Sequence, residues 1–285
     1  MTQVVVSLSI IPPRFPFINQ TLRSLLNQSV RPDRIEVWIP RSYRRFPEHS
    51  FRLPDVPDGV TIEVTDEDLG PATKILPCVR KYRGTDTRIV YVDDDRIYWR
   101  CLLESLLEAA KMRPHECIAA KGADIKFFFK EATGRRSRFP RANGRGGGIR
   151  NFLGNLPYWI VREIAFTRQK SPPWMVSRHE SGYADIAEGF MGVLVRPEFF
   201  DDEAFDIPPI LWAVDDFWLS GCLARKDIPI WVERVVSRRK RDKRKTEATG
   251  GVVAPLLSAV IEGHNRAAAN RACIRYFREK HGIWL

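Results

Sequence analysis

Two clusters of aspartates in this 285-residue chain have the residue types and spacing to do chemistry. The first ends "RIVYVDDD", where the apolar run Ile89-Val90-Tyr91-Val92 stops at Asp93, Asp94 and Asp95. The second is Asp215-Asp216, set between "ILWAV" and the apolar positions of a following helix. Three adjacent carboxylates repel one another unless a cation or hydrogen bonds neutralise them. Hard oxygens suit Mg2+ or Mn2+, and Mg2+ is usually held by one or two carboxylates plus substrate phosphates. The triplet therefore reads as a metal or nucleotide site, against the plainer reading of a solvated acidic turn. On an extended strand successive side chains alternate, which turns Asp93 and Asp95 toward one site and Asp94 away from it.

The elements that must position these acids follow from hydrophobic spacing. "QVVVSLSI" is a continuous β-branched run that ends at Pro12-Pro13, as expected of a buried parallel strand. Ile18, Leu22, Leu25 and Leu26 recur at helical spacing up to Asn27. "RIEVWIP" and "GVTIEVT" alternate as second and third strands. "LGPATKILPCVRKY" predicts a helix opening at Pro71, "TRIVYV" a fourth strand, and "RCLLESLLEAAKM" an amphipathic helix. The first 112 residues thus read β-α-β-β-α-β-α, the pattern of an open α/β sheet, whose ligands sit at the carboxyl ends of the strands. Further on, "CIAAKGADIKFFFK" predicts two strands or one bulged near Gly122. "NFLGNLPYWIVREIAF" reads as a helix, "GFMGVLVRPEFF" holds a buried strand, "AVDDFWLSGCLARK" a helix and "IPIWVERVV" a last strand. Leu256, Leu257, Val260, Ile261, Ile274 and Phe277 mark a broken C-terminal helical region. With no repeat and no clean linker, one elaborated domain is expected.

Charge and cysteine usage narrow the function classes. The net charge of +11 is concentrated in "GRRSRFPRANGRGGGIR" (134–150) and "RRKRDKRK" (238–245), each carrying +6, so the rest of the chain is nearly neutral. Such polar segments offer little apolar surface to offset ordering entropy. They suit an anionic membrane surface or another polyanion, or are simply solvated loops. No nucleic-acid partner is expected, because the basicity lies outside the fold. No stretch approaches the ~20 apolar residues of a membrane span, and "MTQVVVSLSIIPPRF" reads as a first strand and not a signal peptide. The five scattered cysteines form no CxxC pair, which argues against a disulfide framework or structural zinc and for a reducing cytoplasm.

The acidic motif and its neighbours resemble nucleotide-sugar glycosyltransferases of the GT-A fold, in particular family-2-like bacterial enzymes. "YVDDD" resembles their Asp-X-Asp motif. "SLSIIPPRF" is similar to the first strand and the base-holding loop, and "DLGPATK" to a loop-helix element near the donor. "EGFMGVLVRPEFF" followed by "AVDDFWLSGCLARKDIPIWV" is similar to the acceptor-side segment and its acidic motif. The likeness runs in order over residues 4–235. It implies a single GT-A-like (Rossmann-like) α/β domain with a mostly parallel mixed central sheet flanked by helices. Residues 1–112 would be the donor half, 113–235 the acceptor and catalytic half, and 236–285 the basic loop and helical tail. The implied partners are a nucleotide-sugar donor, a glycan or glycoconjugate acceptor, and Mn2+ or Mg2+.

On this resemblance Asp95 is the direct metal ligand, with Asp93 as a second ligand or holding the ribose, and Asp94 on the donor. Pro12, Arg14 and Lys74 belong to the donor site, the two cations around its diphosphate. Taken alone, Lys74 also reads as a snorkelling surface lysine, and Arg14 as a partner of backbone carbonyls. Asp216, with Asp215 behind it, is the base that takes the acceptor's proton, which implies inversion; capping by both aspartates is the alternative. Glu188 and Gly189 line the sugar pocket, Gly189 by permitting close backbone approach. "GRGGGIR" lacks the ending of a phosphate loop. His264 reads as structural before it reads as a ligand, and Trp159, Trp174 and Trp212 as core before acceptor platforms. The rival classes are a metal-dependent nucleotidyltransferase acting on a sugar phosphate and a non-enzymatic polyanion-binding protein.

Overall fold

The computed structural model describes residues 2–128, 138–142, 181–235, 248, 253–254 and 265–285. Its centre is an eight-stranded sheet in the order β3-β2-β1-β4-β9-β5-β10-β7. These strands are β1 (Gln3–Ser9), β2 (Arg34–Pro40), β3 (Thr61–Thr65), β4 (Thr87–Tyr91), β5 (Cys117–Ala119), β7 (Gly182–Ala184), β9 (Val193–Val195) and β10 (Ile230–Val232). A separate antiparallel pair joins β6 (Gly122–Ala123) to β8 (Ile186–Ala187). The first four strands of the order pair in parallel. β9 runs antiparallel between β4 and β5, β10 returns parallel to β5, and β7 closes the order antiparallel. The α/β class expected from the alternating pattern is the class observed: a mixed, mostly parallel sheet with helices on its faces.

Both faces of the sheet are covered, which explains why β1 buries the consecutive residues Val5, Val6, Ser7 and Leu8 and does not alternate. Val6 and Leu8 face one side, with Ile35, Val37, Ile39, Val90 and Val92, under α1 (Ile18–Leu26) and α3 (Leu102–Met112). Val5, Trp38, Ile89 and Tyr91 face the other, under α2 (Leu76–Lys81), α4 (Asp215–Arg225) and α5 (Arg266–His281). Each fully buried Leu, Ile or Val contributes roughly 1.5–3 kcal/mol relative to exposure, so burial along the central strands stabilises the edge at which the acids sit. Ile274 and Phe277 of α5 are buried, as expected for the helical tail. Gly221 lets α5 approach α4: a Cβ there would lie 2.2 Å from the Phe277 ring.

Two elements differ from the sequence expectation. The helix predicted from Pro71 is split into a 3-10 turn over Gly70–Lys74 and α2, with a break at Ile75. Pro77 has no N–H to donate to Thr73, so a continuous helix cannot form, whereas proline is tolerated in the first turn of a new one. The acidic triplet is also not on a strand. β4 ends at Tyr91, and Asp94 and Asp95 form a turn. The predicted helix within 151–166 and the residues 256–261 lie outside the described residues. Among the described residues no helix is long and apolar enough to cross a membrane, and all five cysteines are free.

Candidate functional site

Parallel pairing of β2, β1 and β4 brings their carboxyl ends to one edge of the sheet. From β1 the chain moves outward to β2 and β3, then crosses back to β4 on the other side of β1. That reversal is where open α/β sheets form a crevice. A cleft of about 460 Å3 lies there, lined by Ser9, Arg14, Lys74, Asp93, Asp94, Asp95, Asp215 and Asp216 among others. The two acidic clusters, more than a hundred residues apart in sequence, thus face one space.

The acid turn is held from several sides. The Asp93 N–H donates to Tyr98 Oη at 2.9 Å, and that hydroxyl lies 3.2 Å from the Phe190 carbonyl. Thr21 Oγ1 donates to the Asp94 carbonyl at 2.7 Å, which ties the turn to α1. Arg14, in a 3-10 turn over Pro12–Phe17, places Nη1 2.7 Å from Asp94 Oδ1 and 3.2 Å from Asp95 Oδ2. Its Nε donates to the Val253 carbonyl at 2.9 Å. Because the triplet is a turn, the strand alternation fails: Asp94 and Asp95 share Arg14, while Asp93 turns to Lys74. The Asp94 side chain is 9% exposed, against 30% for Asp93 and 21% for Asp95. Burial, with repulsion from Asp95 and Asp93, pushes the Asp94 carboxyl up to about 7 despite Arg14. Burial and the Asp93 charge raise Asp95 as well.

Lys74 is neither at the surface nor free. Its side chain is 4% exposed, and Nζ lies 2.5 Å from Asp93 Oδ1 and 2.6 Å from Asp215 Oδ2. Burial alone would lower its pKa, but Asp215, Asp93 and Asp216 outweigh it and hold the ammonium well above its usual range. Ser7 Oγ anchors the Lys74 carbonyl at 2.6 Å, so the residue is fixed at both ends.

The second cluster opens α4, and its two members part company. Asp215 is buried, with Oδ2 on Lys74 and Oδ1 3.3 Å from Arg266 Nη2. Burial would raise its carboxyl, but Lys74 and Arg266 bring it below the ordinary range. Asp216 is half-buried and accepts the Gly189 N–H on Oδ1 at 2.9 Å. Burial and the neighbouring Asp215 charge raise it. The residue that precedes α4, Val214, supplies no side-chain cap.

Other expected residues fall nearby or apart. Gly189 permits a close approach, but to the protein itself: a Cβ there would lie 2.9 Å from Lys74 Nζ and 3.1 Å from Asp216 Oδ1. Glu188 pairs with Lys121 at 2.9 Å and does not line the cleft. Pro12 lines a neighbouring groove with Pro13, Arg45, Phe46 and His49. Trp212 lines the cleft and donates through Nε1 to the Asp68 carbonyl at 2.9 Å. Trp159, Trp174, His264, "GRGGGIR" and the basic run 238–245 lie outside the described residues. Arg266, Tyr43, Arg45, Phe46 and Asp68 line the cleft without having been singled out. "DLGPATK" contains Asp68, which was a visible signal; Arg266 sits 51 residues after Asp215 and has none.

Hard carboxylate oxygens are the donors that a divalent cation of the Mg2+ or Mn2+ type takes. Asp93 and Asp95 present hard oxygens at the cleft, and a buried Asp94 Oδ2 lacks a partner. Among the described residues no group of three or more His, Cys, Asp or Glu side chains is arranged to hold a metal ion.

No protein-family model matches the chain, and no curated protein matches it. Among solved structures, the crystal structure of S. aureus TarS 1–349 aligns with a TM-score of 0.43 and 13% identity, covering 84% of this chain. The chain spans 59% of that one. At that TM-score the likeness adds nothing to the reading of the cleft.

Proposed function

We propose that the protein is a metal-dependent glycosyltransferase of GT-A type, moving a sugar from a nucleotide-sugar donor to a hydroxyl acceptor with inversion. The observation that supports this reading is the meeting of two acidic clusters of opposite character in one cleft at the carboxyl ends of β1 and β4. One cluster suits a cation and a diphosphate. The other offers a single carboxylate with raised proton affinity beside a fully paired neighbour.

In this reading Asp93 and Asp95 hold the divalent cation, which when bound supplies positive charge toward the leaving diphosphate. Asp216 takes the proton of the acceptor hydroxyl as its oxygen bonds the anomeric carbon. The bond from that carbon to the diphosphate oxygen breaks on the opposite face, and the electron pair leaves with the nucleoside diphosphate. Asp216 is better suited than Asp215, because Lys74 and Arg266 occupy both Asp215 oxygens. A base works best with a pKa near the working pH, and burial moves Asp216 in that direction. Arg14 positions the acid turn through Asp94 and Asp95.

The test is to incubate the protein with nucleotide sugars and candidate glycan acceptors, with Mn2+ or Mg2+, and assay the released product. Nucleoside diphosphate supports transfer, whereas pyrophosphate formed from a sugar phosphate and a nucleoside triphosphate supports a nucleotidyltransferase. Asp95→Ala should abolish cation-dependent turnover; unchanged turnover removes Asp95 as a metal ligand.

A further inference from the structure

The Lys74 ammonium is shared between the two acidic clusters. It has two acceptors at hydrogen-bond distance, Asp93 Oδ1 and Asp215 Oδ2, and little room to leave them. The Gly189 backbone closes one side, so near that a Cβ would lie 2.9 Å from Nζ, and the Tyr91 ring centroid lies 5.7 Å away. A charge confined in this way is divided between its two carboxylates. Whatever draws Asp93 away leaves Lys74 to Asp215, and whatever removes Asp215 leaves Lys74 to Asp93.

We infer that Lys74 is a positioning residue that couples divalent-cation occupancy at Asp93 to the base pair Asp215-Asp216. The inference rests on the cation assignment made above. With the acid turn vacant, Lys74 divides its hydrogen bonds between the clusters. With Asp93 engaged by a cation, Lys74 is held by Asp215 alone and fixes the start of α4, where Asp216 sits. The sugar acceptor's base is thereby set in place only once the donor side is filled. Coupling of this kind is reciprocal: a change at Asp215 must alter cation affinity at Asp93 by the same factor.

The experiment measures Mn2+ binding to the full chain by electron paramagnetic resonance, with no substrate and no turnover. Wild type, D215N, K74M and the double variant K74M/D215N are compared, with near-UV circular dichroism to verify folding. In D215N, Lys74 keeps Asp93 as its charged hydrogen-bond acceptor, with Asp216 acting on it only through space, and Asp93 is competed for harder, so the Mn2+ Kd should rise about fivefold or more. K74M should lower it. In the K74M background D215N should change Kd less than about twofold, because the carrier of the coupling is gone. K74Q replaces K74M if the latter does not fold.

An equal effect of D215N with and without Lys74, or no effect of D215N on a wild-type background, overturns the inference and leaves the metal site standing. Absence of Mn2+ binding to the wild type overturns the inference and the cation assignment together. Non-additive Mn2+ binding in a protein that transfers no sugar supports the inference and counts against the transferase reading alone.

Discussion

At Asp93–Asp95 three carboxylates sit in a turn, with Arg14 and Lys74 as close partners and Arg96 further off; at Asp215–Asp216 two carboxylates open a helix against Lys74 and Arg266. The turn leaves Asp93 and Asp95 partly open and buries the middle acid, whose second oxygen has no partner. The helix start buries the first acid with both oxygens paired, and leaves the second half-open with a backbone N–H on one oxygen. Adjacent residues of one type therefore acquire opposite proton affinities. The difference lies in how far ion pairing offsets burial at each carboxylate.

The sharpest way to break this contrast is Asp216→Asn. The amide oxygen still accepts the Gly189 N–H, so the fold is kept while the base is lost. We expect kcat to fall about 10^3-fold with donor binding retained, measured by steady-state kinetics and calorimetric titration. A wild-type rate removes Asp216 as base. Asp215→Ala should act on stability instead. It leaves Lys74 and Arg266 facing a gap, and loss of one partner from a buried ion pair costs roughly 3–5 kcal/mol in denaturant titration.

The buried acid of the turn gives a pH signature. Asp94 has its folded pKa raised to about 7, so between the ordinary carboxylate value and 7 the folded state keeps a proton that the unfolded chain has released. Its contribution to stability is present at low pH and is lost as pH rises through that window, by at most about 4 kcal/mol. Asp94→Asn should flatten this part of the stability profile. Asp215 has the opposite sign: its lowered pKa gives stability above the ordinary carboxylate range that is lost as pH falls through it. The smallest effect should come from an exposed pair. Lys111→Ala, which removes the 2.6 Å contact to Glu108 on the solvent face of α3, should change stability by no more than about 0.5 kcal/mol.

The first half of the chain was the more legible. Continuous β-branched runs at β1 and β4 and alternation at β2 and β3 are local signals, and the strands they predict are the strands present. The break at Ile75 was also readable in principle, since Pro77 stands six residues after Pro71 and removes a helical donor. The shift of the acid triplet from strand to turn was less so, because Val92 continues the apolar run and nothing local marks the end of β4 at Tyr91. The second half has strands of two or three residues, too short for periodicity to declare itself, and their order in the sheet depends on pairing across long separations.

The site divides in the same way. Composition and spacing alone determined that two acidic clusters exist, that one follows a buried strand and the other opens a helix, and that both belong to an α/β sheet. These are properties of neighbouring residues, fixed by side-chain periodicity and mutual charge. Only the tertiary structure decided that Lys74 is a buried link between the clusters and not a surface cation. It alone brought Arg266 from the start of α5 to Asp215, and turned Asp94 toward Arg14. Burial and ion pairing depend on which segments pack together in space, and pKa values follow them. The opposite proton affinities of two identical adjacent side chains could therefore be read only after folding.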